Sequence, residues 1–532
     1  MTAGYLRKKL LDFGGKMSKS ISQSNERKIG VILSYMQIAL SSVSSLLYTP
    51  IMLRLMGQNE YGLYGTVNSF IGLLGLLNLG FSSSYIKFYS VYKAKNEQQK
   101  INAFNSLFTV VFAVIAGLSL LIGLFFSFNL KPVFGDGLTS AEYEKARVMM
   151  ILLTFTTALN FICTVFGCFV SANQRFAFTK GYSLIITVVM FIVNVIALKL
   201  GTGAIGLVVV SASFTIIQQL VYAAYSYKKL EFKFDFKNID KSVFKEVLVF
   251  SGLIAINLIV DKINSGIDAV LLARFCGTAV VAVYSVGASL NNHFTGFSLA
   301  ISGVFTPHVH SLVHSFEQDS KEQREALTEF FVRVGRVQYL LMALLASGLV
   351  FFGKQFICFW AGADFVGAYP ITLVLVIPGI IPLTQNVGIE IQRAMNRHHY
   401  RSYLYGLTAL LNLGISIYLC RIWGGFGSAL GTCIACVIAN ITLMNIVYNK
   451  KINIEIKEYW KNIGRQTLGM LPAFVVGTLI MIFVNIDSII KLIIWIGVYS
   501  LVYAASAWFL SANAYEKGLL TGVLRKLKLI KN

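Results

Sequence analysis

The sequence predicts an all-α polytopic membrane protein of about fourteen transmembrane helices, built as two six-helix bundles followed by two more helices. Three observations predict it. First, the 532 residues are 56% hydrophobic and only 13% charged, with a mean hydropathy of +0.68, whereas a soluble domain is about 25% charged. A chain this long with so little charge cannot present a water-compatible surface, which excludes a soluble enzyme, a disordered chain or a disulfide scaffold. Second, the apolar runs are continuous and near the roughly 20 residues that one crossing needs, rather than alternating as in a membrane barrel. Third, the chain repeats itself with a shift of about 220 residues.

Taken in order, the apolar runs lie at roughly 29–53, 61–86, 103–127, 148–172, 181–199 and 204–226, then 247–271, 278–306, 330–352 and 368–392, and finally 403–420, 424–447, 467–486 and 489–511. Segment 1–28 is polar and basic, with no cleavable signal pattern, so the first span serves as its own insertion signal. The net charge is +22. In a soluble protein that surplus would suggest nucleic acid. Here it sits at both ends and in the even-numbered loops, for example Lys228, Lys229, Lys233 and Lys237. Cationic loops stay on the cytoplasmic side, so no nucleic-acid partner is expected. Both termini are expected in the cytoplasm, which requires an even number of spans. The expected organisation is a cytoplasmic segment 1–28, a bundle 29–226, a cytoplasmic linker 227–246, a second bundle 247–450, and a final part 451–532 with two helices and a basic tail.

The repeat rests on Arg54-x-x-Gly57 returning as Arg274-x-x-Gly277, Tyr64 as Tyr284 and Ser69 as Ser289, all shifted by 220. Gly203-Ala-Ile-Gly206 returns as Gly424-Gly-Phe-Gly427, and Tyr182 as Tyr403, shifted by 221. Two six-span halves in one orientation would be related by an axis along the membrane normal, with a cavity between them.

Polar residues inside apolar helices mark the candidate site. The seventh span carries Asn257, Asp261, Asn264, Ser265 and Asp268 on one helical face. Ionisable groups in a membrane helix are costly and face a cavity or each other, so Asp261 and Asp268 are candidates for ion coupling. Lys262 adjoins Asp261 but lies about 100° round the helix. The shift carries this stripe onto Gln37, Ser41, Ser44, Ser45 and Tyr48 of the first span. Both stripes fit either a cavity lining or polar packing between helices. Asn68, on the second span, joins the candidates. His293 fits either an interior hydrogen bond or a substrate contact. Arg333 and Arg336 fit either interfacial anchoring or a cationic vestibule. Arg54 and Arg274, matched by the repeat on the cation-poor side, fit either repeated capping or an anion-attracting mouth. Pro370, Pro378 and Pro382 crowd the tenth span and would kink or end it.

No catalytic constellation or phosphate-binding loop is present. The seven cysteines are odd in number and lie mostly in apolar runs, as packing residues. Cys433-x-x-Cys436 lacks a second ligand pair, and His308, His310 and His314 read as a solvated loop, so no metal or cofactor is expected.

The stretches Leu53–Tyr64, Ile267–Gly277 with Val283-Tyr284-Ser285, and Gly424–Gly431 resemble the helix junctions of polysaccharide-biosynthesis exporters. The chain thus resembles the multidrug/oligosaccharidyl-lipid/polysaccharide exporter superfamily with its MATE-like fold, and within it the Wzx-type O-antigen and capsule-repeat flippases. The resemblance implies two six-helix bundles in a V. It implies a flippase, not an enzyme, in a bacterial inner membrane, moving undecaprenyl-pyrophosphate-linked oligosaccharide to the outer leaflet. Lipid-linked oligosaccharide, membrane lipids, a polymerase and chain-length machinery would be its partners. The alternatives are a drug or cation antiporter of the same architecture, or a lipid II or teichoic-precursor flippase.

Overall fold

The computed structural model describes residues 2–135 and 137–526; side chains of residues 1–28 and of scattered helix positions, Asn257, Asn264 and Ser265 among them, lie outside the described residues. The described chain is helical throughout, with short turns and no strand. It divides into two compact units, Met1–Arg274 and Phe275–Asn532.

The first unit comprises α1 (Thr2–Leu74), α2 (Phe81–Ala94), α3 (Gln98–Phe128), α4 (Ser140–Ala172), α5 (Phe176–Lys199), α6 (Gly203–Leu230) and nearly all of α7 (Lys241–Cys276). The seventh span therefore falls with the first unit, whereas the sequence reading opens its second bundle there. The second unit comprises α8 (Thr278–Ser302), α9 (Thr306–His314), α10 (Lys321–Trp360), α11 (Ala368–Thr384) and α12 (Asn386–Ala394). It continues with α13 (His399–Cys436), α14 (Met444–Lys451), α15 (Ile456–Phe483), α16 (Ile489–Ser506) and α17 (Ala514–Lys526).

Among the described residues, nine helices are long and apolar enough to cross a membrane. Two of them, Met36–Ala94 and His399–Lys451, run to 59 and 53 residues, more than twice what one crossing needs. Each is folded at a kink, at Gly57 (φ 76°) and at Trp423–Gly424. With α7 and α8 this pattern is compatible with fourteen spans.

The repeat is written into the backbone. Gly57 and Gly277 both take positive φ, 76° and 85°, and so do Gly203 and Gly424, at 58° and 56°. Only glycine enters such conformations without cost. Non-glycine residues repeat the same pattern at helix ends: Gln174 with Asn396, and Glu231 with Asn453. Their hydrogen bonds match. The amide of Arg175 donates to Val170 as Arg397 does to Gln392, and Phe232 donates to Ser226 as Ile454 does to Tyr448. A 3₁₀ turn also interrupts the second span of each half, Gly75–Asn78 in one and Gly303–Phe305 in the other, though not at positions the shift matches. In the second unit the chain resumes as α9, with proline in its first turn. His308, His310 and His314 thus lie on a short helix, not on the loop expected from sequence.

The first unit's core is aromatic, built from Tyr85, Phe104, Phe108, Phe112 and Phe169. Tyr85 is fully buried, and its hydroxyl donates to Asn105 Oδ1 at 2.5 Å, which satisfies the polar tip. In the second unit α10 packs against α11, α15 and α16, burying Phe331, Tyr448 and Tyr459 at one end and Phe352 and Tyr499 at the other. Three loops of this unit are clasped together. Arg397 donates to Asp319 through Nη1 at 2.9 Å and Nη2 at 2.5 Å, and to the Lys451 carbonyl at 2.7 Å. Asn453 adds a bond to Asp319 at 2.9 Å. The hydrogen-bonded Arg397 guanidinium, with help from Asn453, holds the Asp319 carboxyl below its usual range.

Candidate functional site

In the first unit the candidate residues lie on α7 and along α1. Asp268 is buried and Asp261 exposed; they stand two turns apart on one face. Lys262, half-buried, reaches the other way, toward the second-span part of α1. A Cβ at Gly72 would lie 2.7 Å from its Nζ, and one at Gly266 3.4 Å. The missing side chain at Gly72 thus opens a notch that seats the ammonium group. No ion pair or hydrogen bond holds that Nζ among the described residues.

At the far end of α7, Arg274 donates to the Pro132 carbonyl. The loop after α3 closes over this point, with Gly135 at φ 59° against the Arg274 side chain and carbonyl. Arg274 is exposed but tied to this loop, and Arg54, its match in the repeat, is also exposed. On the first span Gln37 donates to Ser183 of α5, while Ser41 is exposed. Asn68 turns back to the Tyr64 carbonyl of its own helix at 2.8 Å. Glu60 caps α6 by accepting from the Ala204 amide at 2.8 Å, and pairs with Lys145 at 3.3 Å. A carboxylate at a helix N-terminus is favoured by the helix dipole.

In the second unit the sequence-predicted cations separate. His293 is half-buried on α8. Arg333 pairs with Glu329 and lies 4.9 Å from the Tyr515 ring centre. Arg336 is buried, and its Nε and Nη2 grip Glu516 at 2.7 and 3.0 Å. Nη2 also donates to the Ser511 carbonyl at 2.9 Å, and Nη1 to the carbonyl and Oδ1 of Asn462 at 3.4 and 3.3 Å. All five guanidinium donors are used, which leaves none for a ligand. The vestibule expectation for Arg336 gives way to a buried tie between α10 and the C-terminal α17.

Two polar clusters escape the sequence reading. One surrounds the break between α11 and α12, which bends by 41° after Pro378 and Pro382. There Ser298 donates to the Leu383 carbonyl at 2.9 Å and accepts from Asn386 at 3.2 Å, while Gln338 donates to the Ser298 carbonyl at 3.1 Å. The freed backbone is re-satisfied by side chains, as a broken membrane helix requires. The prolines give the break away and Ser298 stands out as a polar residue of the eighth span, matched by the shift to Asn78, but the distant Gln338 does not advertise its part in it.

The other cluster flanks the α13 kink. Ser416 donates to Asn412 Oδ1 at 3.0 Å, Thr432 approaches the same oxygen at 3.4 Å, and both hydroxyls lie near the Ser428 carbonyl at 3.4 and 3.3 Å. Its two i, i+4 polar pairs, Asn412 with Ser416 and Ser428 with Thr432, answer the same criterion that found the α7 stripe. Applied to the eleventh and twelfth spans, it would have found them.

These arrangements hold charge and polar groups within apolar bundles. A membrane protein of Bacillus subtilis (strain 168), EpsK, itself uncharacterized, is 21% identical over 493 residues, covering 92% of this chain and 96% of its own. Among solved structures, lipid II flippase MurJ in an inward closed conformation matches with a TM-score of 0.70 at 18% identity, over 90% of this chain and 97% of that one. An inward-facing multidrug resistance MATE family transporter matches with a TM-score of 0.60 at 12% identity, over 79% and 99%. At such identities these two show a shared, MATE-like fold. The family described as polysaccharide biosynthesis protein matches residues 28–313, more than half of the chain, and the chain belongs to that family.

Proposed function

We propose that the chain is a flippase that carries lipid-linked oligosaccharide repeat units from the inner to the outer leaflet of a bacterial cytoplasmic membrane, for surface polysaccharide such as O-antigen or capsule. The observation that carries this reading is the polysaccharide-biosynthesis family match, lying on a fold shared with a lipid II flippase. The sugar head crosses along polar residues while the lipid tail remains in the bilayer, and alternating access moves one bundle against the other. Both termini face the cytoplasm, and a polymerase with its chain-length machinery takes the product. Lys262, Arg54 and Arg274 meet the pyrophosphate at different points of its path. Gln37, Ser41, Asn68, Asn257, Asn264 and His293 meet the sugar, and Asp261 or Asp268 couples the cycle to an ion.

The test is depletion of the protein in a strain with no second flippase. Lipid-linked repeats accumulate in the inner leaflet and surface polymer falls; unchanged surface polymer sinks the proposal. A second reading, drug or cation antiport, is favoured by one observation, the buried carboxylate of Asp268 inside a membrane helix. It requires that expression confer resistance to cationic dyes and that Asp268→Asn remove it.

A further inference from the structure

The second unit carries an apolar cleft that the transport reading leaves unused. It encloses about 260 Å³ and is lined by Val337, Leu341 and Leu344 of α10, Ala504 and Trp508 at the end of the fourteenth span, and Leu519 of α17. The helix widens there into a π-helical turn, Ala507–Ser511, a distortion frequent at functional sites. Leu341 and Leu519 are 46% and 43% exposed, so the cleft opens outward. In a membrane span an open apolar face looks at hydrocarbon.

Two polar side chains of the walls already have partners. The Tyr503 hydroxyl donates to the Leu340 carbonyl at 2.8 Å. The Glu516 carboxylate is neutralised by the two-pronged grip of Arg336.

The mouth is cationic. The Lys517 ammonium sits 5.7 Å from the Trp508 ring centre, and no carboxylate pairs with it among the described residues. The nearby acids Glu325, Glu329, Glu455 and Glu458 line a separate polar depression. Each is matched by its own cation, in turn Lys321, Arg333, Arg324 and Lys461. The sequence continues the positive charge with Arg525, Lys526, Lys528 and Lys531.

We propose that this cleft holds an acyl chain of an anionic glycerophospholipid from the cytoplasmic leaflet, with its headgroup phosphate against Lys517. A basic side chain at a membrane surface favours anionic over zwitterionic lipid by about fivefold, and the apolar cleft supplies the hold on the chain. The site is independent of what the protein transports.

Trp508 reports on it directly. In proteoliposomes of a variant whose other tryptophans, Trp360, Trp423, Trp460 and Trp495, are replaced by phenylalanine, bromine-labelled acyl chains quench Trp508 on contact. Phosphatidylglycerol should be preferred over phosphatidylcholine by about fivefold. Lys517→Ala should bring that ratio close to one, and Lys517→Arg should keep it. Equal quenching by the two lipids, or a preference that survives Lys517→Ala, overturns the proposal. So does relief of quenching by unlabelled polyprenyl phosphate, which would place an isoprenoid tail in the cleft. Native mass spectrometry of the unsubstituted protein needs no tryptophan replacements. It should show retained phosphatidylglycerol that Lys517→Ala loses, and retention unaltered by Lys517→Ala counts against the site.

Discussion

Lys262 is seated by an absence. Gly72 leaves the space into which its ammonium reaches, and a Cβ there would lie 2.7 Å from Nζ. Because Nζ is the free end of a flexible chain, Gly72→Ala displaces the charge without unfolding the unit. If Lys262 meets the pyrophosphate, Gly72→Ala and Lys262→Ala each lower flipping by about tenfold, the scale of a lost hydrogen bond to a charged group. Protein levels should not change. Vesicle transport with matched protein amounts checks this, and full activity in both variants assigns Lys262 to packing. Arg336 and Glu516 behave differently. Removing one partner strands a buried charge, at a cost of about 3–5 kcal/mol. Glu516→Gln should therefore destabilise the detergent-solubilised protein strongly, and the double replacement Arg336→Met with Glu516→Leu should recover much of the loss. Denaturant unfolding of these two variants, and of Arg336→Met and Glu516→Leu alone, measures it; additive losses would deny the pairing. The contrast explains what was legible at this scale. A lysine or aspartate in an apolar helix stands out by its local setting. The partner of Arg336 lies 180 positions away, and nothing in the local pattern of either residue points to the other.

Helices and their joints carry the duplication. Gly57 and Gly277 could be matched in the sequence because glycine is the residue that positive φ demands. Gln174 and Asn396, or Glu231 and Asn453, occupy the same conformation with unlike side chains, so the sequence hides their equivalence while the backbone preserves it. The broken second span was hidden for a similar reason, since the left-handed Leu79 before Gly80 reads as one more apolar residue in a run. The break at α11 was announced by its prolines. The Asp319–Arg397 clasp gives this scale its prediction. Asp319 titrates below its usual range in the folded protein. Its contribution is therefore present above the unfolded carboxyl value of about 4 and is lost as pH falls through the lower folded value. Both side chains are partly solvated, at 40% and 23% exposure, so the pair is worth about 1 kcal/mol or less. Asp319→Asn should lower the unfolding midpoint slightly at pH 7, and the gap to the parent protein should close in acid. A gap that stays constant down to pH 3 would show that the clasp does not depend on the Asp319 charge.

For the molecule as a whole, the scarcity of charge was the most readable property. It named the class of protein before any residue was singled out. The basic even loops and the repeat then gave an expected orientation and two halves. The compact units that the structure shows, Met1–Arg274 and Phe275–Asn532, divide the chain after α7 rather than before it. Helix α7 is therefore packed against the first unit, and Ser251 and Ser84 share a hydrogen bond of 2.6 Å. Hydrophobic periodicity fixes where spans begin and end, but it does not say which neighbours a span chooses, because lipid-facing and helix-facing apolar surfaces look alike in sequence. The central claim is that this protein moves a lipid-linked oligosaccharide across a bilayer. Its most direct test is a purified, reconstituted system. Vesicles carrying the protein and a fluorescent undecaprenyl-pyrophosphate oligosaccharide are exposed to a membrane-impermeant reagent that destroys only outer-leaflet label. With flipping, label in both leaflets is lost; Lys262→Ala slows that loss about tenfold, and empty vesicles keep about half. A protected half that persists in vesicles carrying the active protein would contradict the account.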